Sequence, residues 1–131
     1  MQTLAAVNGG PKYLLRAEGL TVLALAVVLY WRGGFSWILF AVLFLVPDVS
    51  MLGYLINPRI GAVCYNAVHT YLGPLLLALI ALFAGVPICI AIALIWAAHI
   101  GFDRLLGYGL KYPTAFTDTH LGKIGRHADP A

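Results

Sequence analysis

VPICIAIALIWAAHIGFDRL, residues 86–105, decides the fold. Its first twelve residues carry no charge, and then His99 and Asp103 stand one helical turn apart. A helix needs about 20 mainly apolar residues to cross a bilayer, so this stretch reads as a membrane span. The polar pair at its end asks what a histidine and an aspartate do at membrane depth.

Outward from it, the whole chain has the same character. Of its 131 residues 62% are hydrophobic and 10% charged, with a mean hydropathy of +0.91. Soluble domains carry about 25% charged residues, so there are too few polar groups here to cover a water-facing surface. The bilayer is the solvent, and the length suits one domain. Three more spans are expected, at about 14–31, 35–56 and 62–84, with the fourth at 86–106. Breaks fall at Arg32-Gly33-Gly34, Asn57-Pro58 and Gly85-Val86-Pro87. The fold class is all-α, a polytopic four-transmembrane-helix bundle forming a single integral membrane domain over 1–131. Residues 107–131 are punctuated by glycine and proline and read as a tail outside the bilayer. Residues 1–13 lack the long apolar core of a signal peptide, so the first span is expected to stay. Cys64 and Cys89 read as small packing residues too far apart for a disulfide.

Orientation follows from the basic residues. Lys12, Arg16, Arg59, Arg104, Lys111, Lys123 and Arg126 fall on the side of the termini, and Arg32 alone on the other. Both termini are therefore expected in the cytoplasm, in a multi-pass protein of a cell membrane. Tyr30, Trp31 and Trp37 are expected in the outer aromatic belt, and Tyr54, Tyr108 and Tyr112 in the inner one. The basic residues are explained by orientation, so no nucleic acid is expected as a partner. Membrane lipids are, and four short helices are also compatible with homodimers.

Depth sorts the ionisable residues. At about 1.5 Å per helical residue, Glu18 and Asp103 lie one turn in from the terminal side, and Asp48, His69 and His99 roughly 10–12 Å in. All five occupy one leaflet, and every span contributes. Carboxylates and histidines inside a membrane usually face the bundle interior with a partner. His99 and Asp103 share a helix face, as do Asn66 and His69, with Gly73 below to admit a neighbouring helix. Pro47 and Pro74 remove the donors for the carbonyls of Leu43 and Thr70. Broken backbone at this depth belongs where it is buried in protein or lines a cavity.

Three carboxylates with two neutral imidazoles need compensating positive charge. Imidazole with carboxylate suits zinc, iron or manganese, which makes Asp48, His69, His99 and Asp103 candidate ligands of a divalent metal. Glu18 is then the candidate general base, and Arg16, Arg59 and Arg104, joined at the mouth by Lys111, suit an anionic lipid or lipid phosphate. A proton or ion pathway and a purely structural polar core are the other readings of the same residues. In the first case the chain is a transport component, in the second an assembly partner.

RAEG at 16–19, PDVSMLGYL at 47–55, YNAVHTY at 65–71, HIGFDRLLGYGLKYP at 99–113 and FTDTHLGKIGR at 116–126 resemble an uncharacterised family of small bacterial integral membrane proteins. That resemblance implies a four-helix protein of the bacterial inner membrane and supplies no activity. A looser similarity, Pro-Asp in one span, His in the next and His-x-x-x-Asp in the last, is to the membrane-bound metal-dependent hydrolases. It implies that Asp48, His69, His99 and Asp103 are metal-binding positions. In the tail, Asp118 and His120 either fold over the mouth, beside Asn66 as supports of the site, or belong to a helix cap at Asp118-Thr119 or a solvated tail. His127 is expected exposed near the chain end.

Overall fold

The structure is a computed structural model and describes residues 6–124; Arg126 and His127 lie outside that range. Four helical stretches are long and apolar enough to cross a membrane: Gly9–Arg32, Trp37–Leu55, Pro58–Ala84 and Pro87–Leu105. They comprise α1 (Gly9–Arg32), α2 (Trp37–Leu43), a 3-10 helix (Val46–Leu55), α3 (Pro58–His69), α4 (Leu72–Ala84) and α5 (Pro87–Leu105). The four-helix, all-α expectation holds, and two of its spans are internally broken.

Helix α5 is the hub, packing against α1, α4 and α2. Four of its seven buried residues are small, Ala91, Ala93, Ala98 and Gly101, beside Ile95, His99 and Ile100. In lipid no hydrophobic force presses helices together, so close backbone approach through small residues does the work. At the crossing of α1 and α5, a Cβ on Gly101 would stand 2.6 Å from the carbonyl oxygen of Gly19, and one on Gly19 would stand 2.7 Å from that of Gly101. Only glycine fits on either side.

The far end is closed by Tyr30. Expected in an interfacial belt, it is wholly buried against Ala91 and Ile95, while Trp31 is 64% exposed. Its hydroxyl donates to the Ser36 carbonyl, and its ring meets Phe35, Trp37 and Phe40 at 5.0–5.3 Å. The turn between α1 and α2 is thereby folded onto the ring, which holds it inside.

The second span is not one α-helix. Pro47 cannot donate to Leu43, and the chain tightens to three residues per turn: the Asp48 amide bonds Leu45 at 3.0 Å. A 3-10 run of ten residues is long for that geometry and marks a strained or functional place. The third span starts earlier than expected, at Pro58, and breaks at Thr70, whose backbone is extended. The break precedes Pro74 rather than following from it, because proline is tolerated in the first turn of a new helix, where α4 places it. Two side chains of α5 take the carbonyls so released. Trp96 Nε1 donates to Val68 at 2.7 Å and Arg104 Nη2 to His69 at 3.1 Å. The Trp96 ring lies where a Cβ on Gly73 would be, the close approach expected of that glycine.

The described part of the tail, 107–124, forms a hairpin where a helix cap or a solvated segment was the alternative. Asp118–Thr119 and Gly122–Lys123 are strands β1 and β2 of a small antiparallel hairpin, and Lys111 bridges to Thr119. The Val7 amide bonds the His120 carbonyl at 2.8 Å, tying the start of the chain to this hairpin. Local pairing wins because His120 is a backbone mimic: its Nδ1 accepts from the Leu110 amide at 2.8 Å while its own amide bonds the Leu110 carbonyl at 3.0 Å.

Burial, then the nearby Arg104 charge, holds the His120 imidazole below the usual histidine value. Its contribution to tail stability is therefore fully present above about pH 6.5 and lost as pH falls through the lowered folded value. Protonated Nδ1 can no longer accept from Leu110. Amides in 110–123 should exchange faster at pH 5 than at pH 7.5 after correction for intrinsic rates, with no such step in His120→Gln. Equal protection at both pH values would refute this.

Candidate metal centre

Each of the four residues is aimed by a separate local feature. Asp48 lies in the first turn of the 3-10 helix, directly after Pro47. His69 is the last residue of α3. His99 and Asp103 lie one turn apart on α5, both facing inward, with side chains 2% and 13% exposed. One donor atom from each of the four lies within 4.8 Å of all the others.

The distances describe a shell rather than a set of pairs. His69 Nε2 is 3.3 Å from Asp48 Oδ1, 3.5 Å from Asp103 Oδ2 and 3.2 Å from His99 Nε2. His99 Nε2 is 3.1 Å from Asp48 Oδ1 and 3.2 Å from Asp103 Oδ2. Charge-assisted N–H···O bonds are shorter, about 2.7–2.9 Å, and one N–H cannot point at three acceptors. Four ligands tetrahedrally disposed at about 2.0–2.1 Å from zinc stand roughly 3.3–3.4 Å apart. Five of the six separations fall at 3.1–3.5 Å. The group could hold a metal ion with little adjustment.

Proton placement supports the same fit. His69 Nδ1 sits 2.9 Å from the Tyr65 carbonyl, an acceptor only, so Nδ1 carries the hydrogen. The neutral ring then turns a bare Nε2 lone pair to the centre, as metal-bound histidines do when the other nitrogen is tied to a carbonyl. Tyr65 also stacks on the His69 ring, 3.7 Å between centroids and 5° from parallel, and its hydroxyl donates to Asp103 Oδ2 at 3.4 Å. One residue thus orients two of the four. Phe44 meets the His99 ring edge-on at 5.4 Å. Of the four side chains Asp48 is the most exposed, at 32%, against 13% for Asp103.

The other site candidates are distributed differently. Glu18 is exposed on α1 and stands outside the group of four. Arg16 does not reach outward: its Nε donates to the Leu105 carbonyl at 2.9 Å, closing the end of α5. Arg104 is spent on the His69 carbonyl and lies over the Tyr71 ring at 5.8 Å. Arg59 is exposed at the start of α3. Asp118 accepts from Thr114 Oγ1 at 2.6 Å, and His120 serves the hairpin, so neither joins the shell. Asn66 clamps the tail, its Oδ1 accepting from the Lys111 amide at 2.6 Å and its Nδ2 donating to the Lys111 carbonyl at 2.8 Å. The residue that depth and spacing missed is Tyr65. Its place four before His69, with a carbonyl in reach of Nδ1, was the available signal.

The model of a protein family described as a domain of unknown function matches residues 12–124. No curated protein and no solved structure matches the chain.

Proposed function

The chain belongs to the family Domain of unknown function (DUF4260), and from its centre we propose a membrane metalloprotein that holds one divalent ion through Asp48, His69, His99 and Asp103. The observation that carries this is the shell itself: two imidazole Nε2 atoms and two carboxylates at ligand–ligand spacing, with the His69 tautomer set by the Tyr65 carbonyl. Zinc, iron and manganese suit that donor set. Two carboxylates offset a divalent charge, so the occupied centre is neutral overall, which suits burial at membrane depth.

The reading extends to metal-dependent hydrolysis of a lipid or lipid phosphate at the cytoplasmic face of a cell membrane. A divalent ion there would supply Lewis acidity toward an ester or phosphoryl oxygen. The chain supplies access beside Asp48, a rigid shell and basic residues on the tail side. Glu18, the candidate base, is exposed on α1 and outside the group of four. A proton- or ion-coupled transport component draws on the same His–Asp contacts, but it would need ionisable groups in the other half of the bundle, where the spans hold no carboxylate or histidine.

Protein purified in mild detergent without chelator should carry about one transition metal ion per chain by elemental analysis. Its melting temperature should fall with EDTA and recover with zinc or manganese. Release of phosphate from a short-chain phosphatidic acid should follow the metal. A metal-free chain whose melting temperature ignores added metal would leave the structural reading, an assembly partner with a polar core, in its place.

A further inference from the structure

Lys111 is a feature beside the centre that neither the fold nor the metal explains. It is 4% exposed, yet among the described residues no carboxylate lies within ion-pair distance of its ammonium. Its partners are two rings, Phe116 at 3.8 Å and Tyr65 at 4.7 Å from Nζ. Cation–π contacts of this kind offset part of the cost of burying a charge, and a buried cation without a counter-charge remains expensive. A methionine or leucine would pack between the same rings at no such cost.

The position is built, not incidental. Asn66, three residues before His69, holds the Lys111 amide and carbonyl together, and the bridge to Thr119 fixes the other side. The ammonium thus lies over the Tyr65 ring, the ring that stacks on His69. The charges of Asp103 and Asp48 act on it. Burial outweighs them and holds its pKa at about 8, so it is charged at neutral pH. Once a divalent ion has offset both aspartates, Lys111 faces no net negative charge. Arg104, already bound to the His69 carbonyl, adds a second positive charge nearby. The surroundings then call for an anion.

We propose that Lys111 and the occupied centre together bind a phosphate-type oxyanion, the ion taking one oxygen and the buried ammonium another. This rests on the metal reading and adds the class of ligand to it. The shared chemistry is a phosphate monoester or free phosphate, and the two sources are separable by experiment.

Metal-loaded protein in neutral detergent is titrated with inorganic phosphate, with a short-chain phosphonate analogue of phosphatidic acid, and with short-chain phosphatidylcholine, while melting temperature and metal content are followed. Both anions should raise the melting temperature of the native chain, and phosphatidylcholine should not. Tighter binding of the phosphonate than of phosphate identifies a lipid headgroup, and equal binding a free anion. Lys111→Met should keep its metal and melt higher than the native chain in the absence of anion. It should lose at least tenfold in anion affinity. Lys111→Gln serves as the second variant should the first not fold, with the same loss expected. Unchanged anion affinity in either variant, or no response of the metal-loaded native chain to either anion, overturns the proposal. Loss of metal from the native chain overturns the metal reading instead, and elemental analysis tells the two apart.

Discussion

Asp103→Ala should keep the bundle folded and bind metal more than about a hundredfold more weakly than the native chain, since groups that merely orient a ligand are already worth roughly 10–100-fold. Asp103 lies 3.2 and 3.5 Å from the two Nε2 atoms, and no second carboxylate of α5 can replace it. The effect on stability divides by metal. With saturating zinc the native chain should gain about 3 kcal/mol at a hundred times its dissociation constant, and the variant almost none. Without metal the variant should melt no lower than the native chain. The reason is physical: in the metal-free native shell two carboxylates and the bare His69 Nε2 face one another, and removing one carboxylate relieves that repulsion. His99→Ala should behave alike. Glu18→Gln, exposed on α1 and outside the shell, should leave metal affinity unchanged. An Asp103→Ala chain that melts well below the native chain without metal, or that binds metal as tightly as the native chain, would contradict this expectation.

The largest stability loss is expected from one methyl group at the crossing of α1 and α5. Gly101→Ala would place a Cβ 2.6 Å from the Gly19 carbonyl oxygen and 2.9 Å from the Leu23 nitrogen, both backbone atoms that cannot rotate away. The helices must separate, and overpacking of this kind costs about 1–3 kcal/mol or more. Because α5 carries His99 and Asp103, the shift should also weaken metal binding. Gly10→Ala is the matching control. Nothing lies within 4 Å of the added atom, so it should be neutral or slightly stabilising, by up to about 1 kcal/mol. Thermal melts of the two variants in one detergent check the pair, and equal melting temperatures would show that the α1–α5 crossing is looser than described.

The spans were legible in the sequence because bilayer thickness converts directly into a length of apolar chain. The shell was legible for a related reason. An ionisable residue at membrane depth needs a partner, and equal depth on several spans brings Asp48, His69, His99 and Asp103 to one level. Depth says nothing, however, about direction around a helix. Glu18 shares the leaflet, but its neighbour Gly19 is pressed against Arg104 Cβ and the Gly101 carbonyl. Adjacent residues on a helix point about 100° apart, so Glu18 is turned aside.

What stayed hidden depends on contacts distant in sequence. Pro47 signals a break, yet the 3-10 winding that follows leaves no periodic trace in VPDVSMLGYL. The fracture at Thr70 is sustained by Trp96 and Arg104, both from another span. The tail is folded by Asn66 gripping Lys111 across 45 residues, and a glycine-rich polar segment gives no hint of such a clamp. Lys111 could be placed at the mouth by its position, but not buried between two rings.

X-ray absorption at the edge of the metal that co-purifies with the chain tests the central claim most directly. A single ion with two imidazoles and two or more oxygen ligands at about 2.0–2.2 Å is expected, the imidazole signal falling by half in His69→Ala. A spectrum with sulfur ligands, with no imidazole, or unchanged in His69→Ala would contradict it.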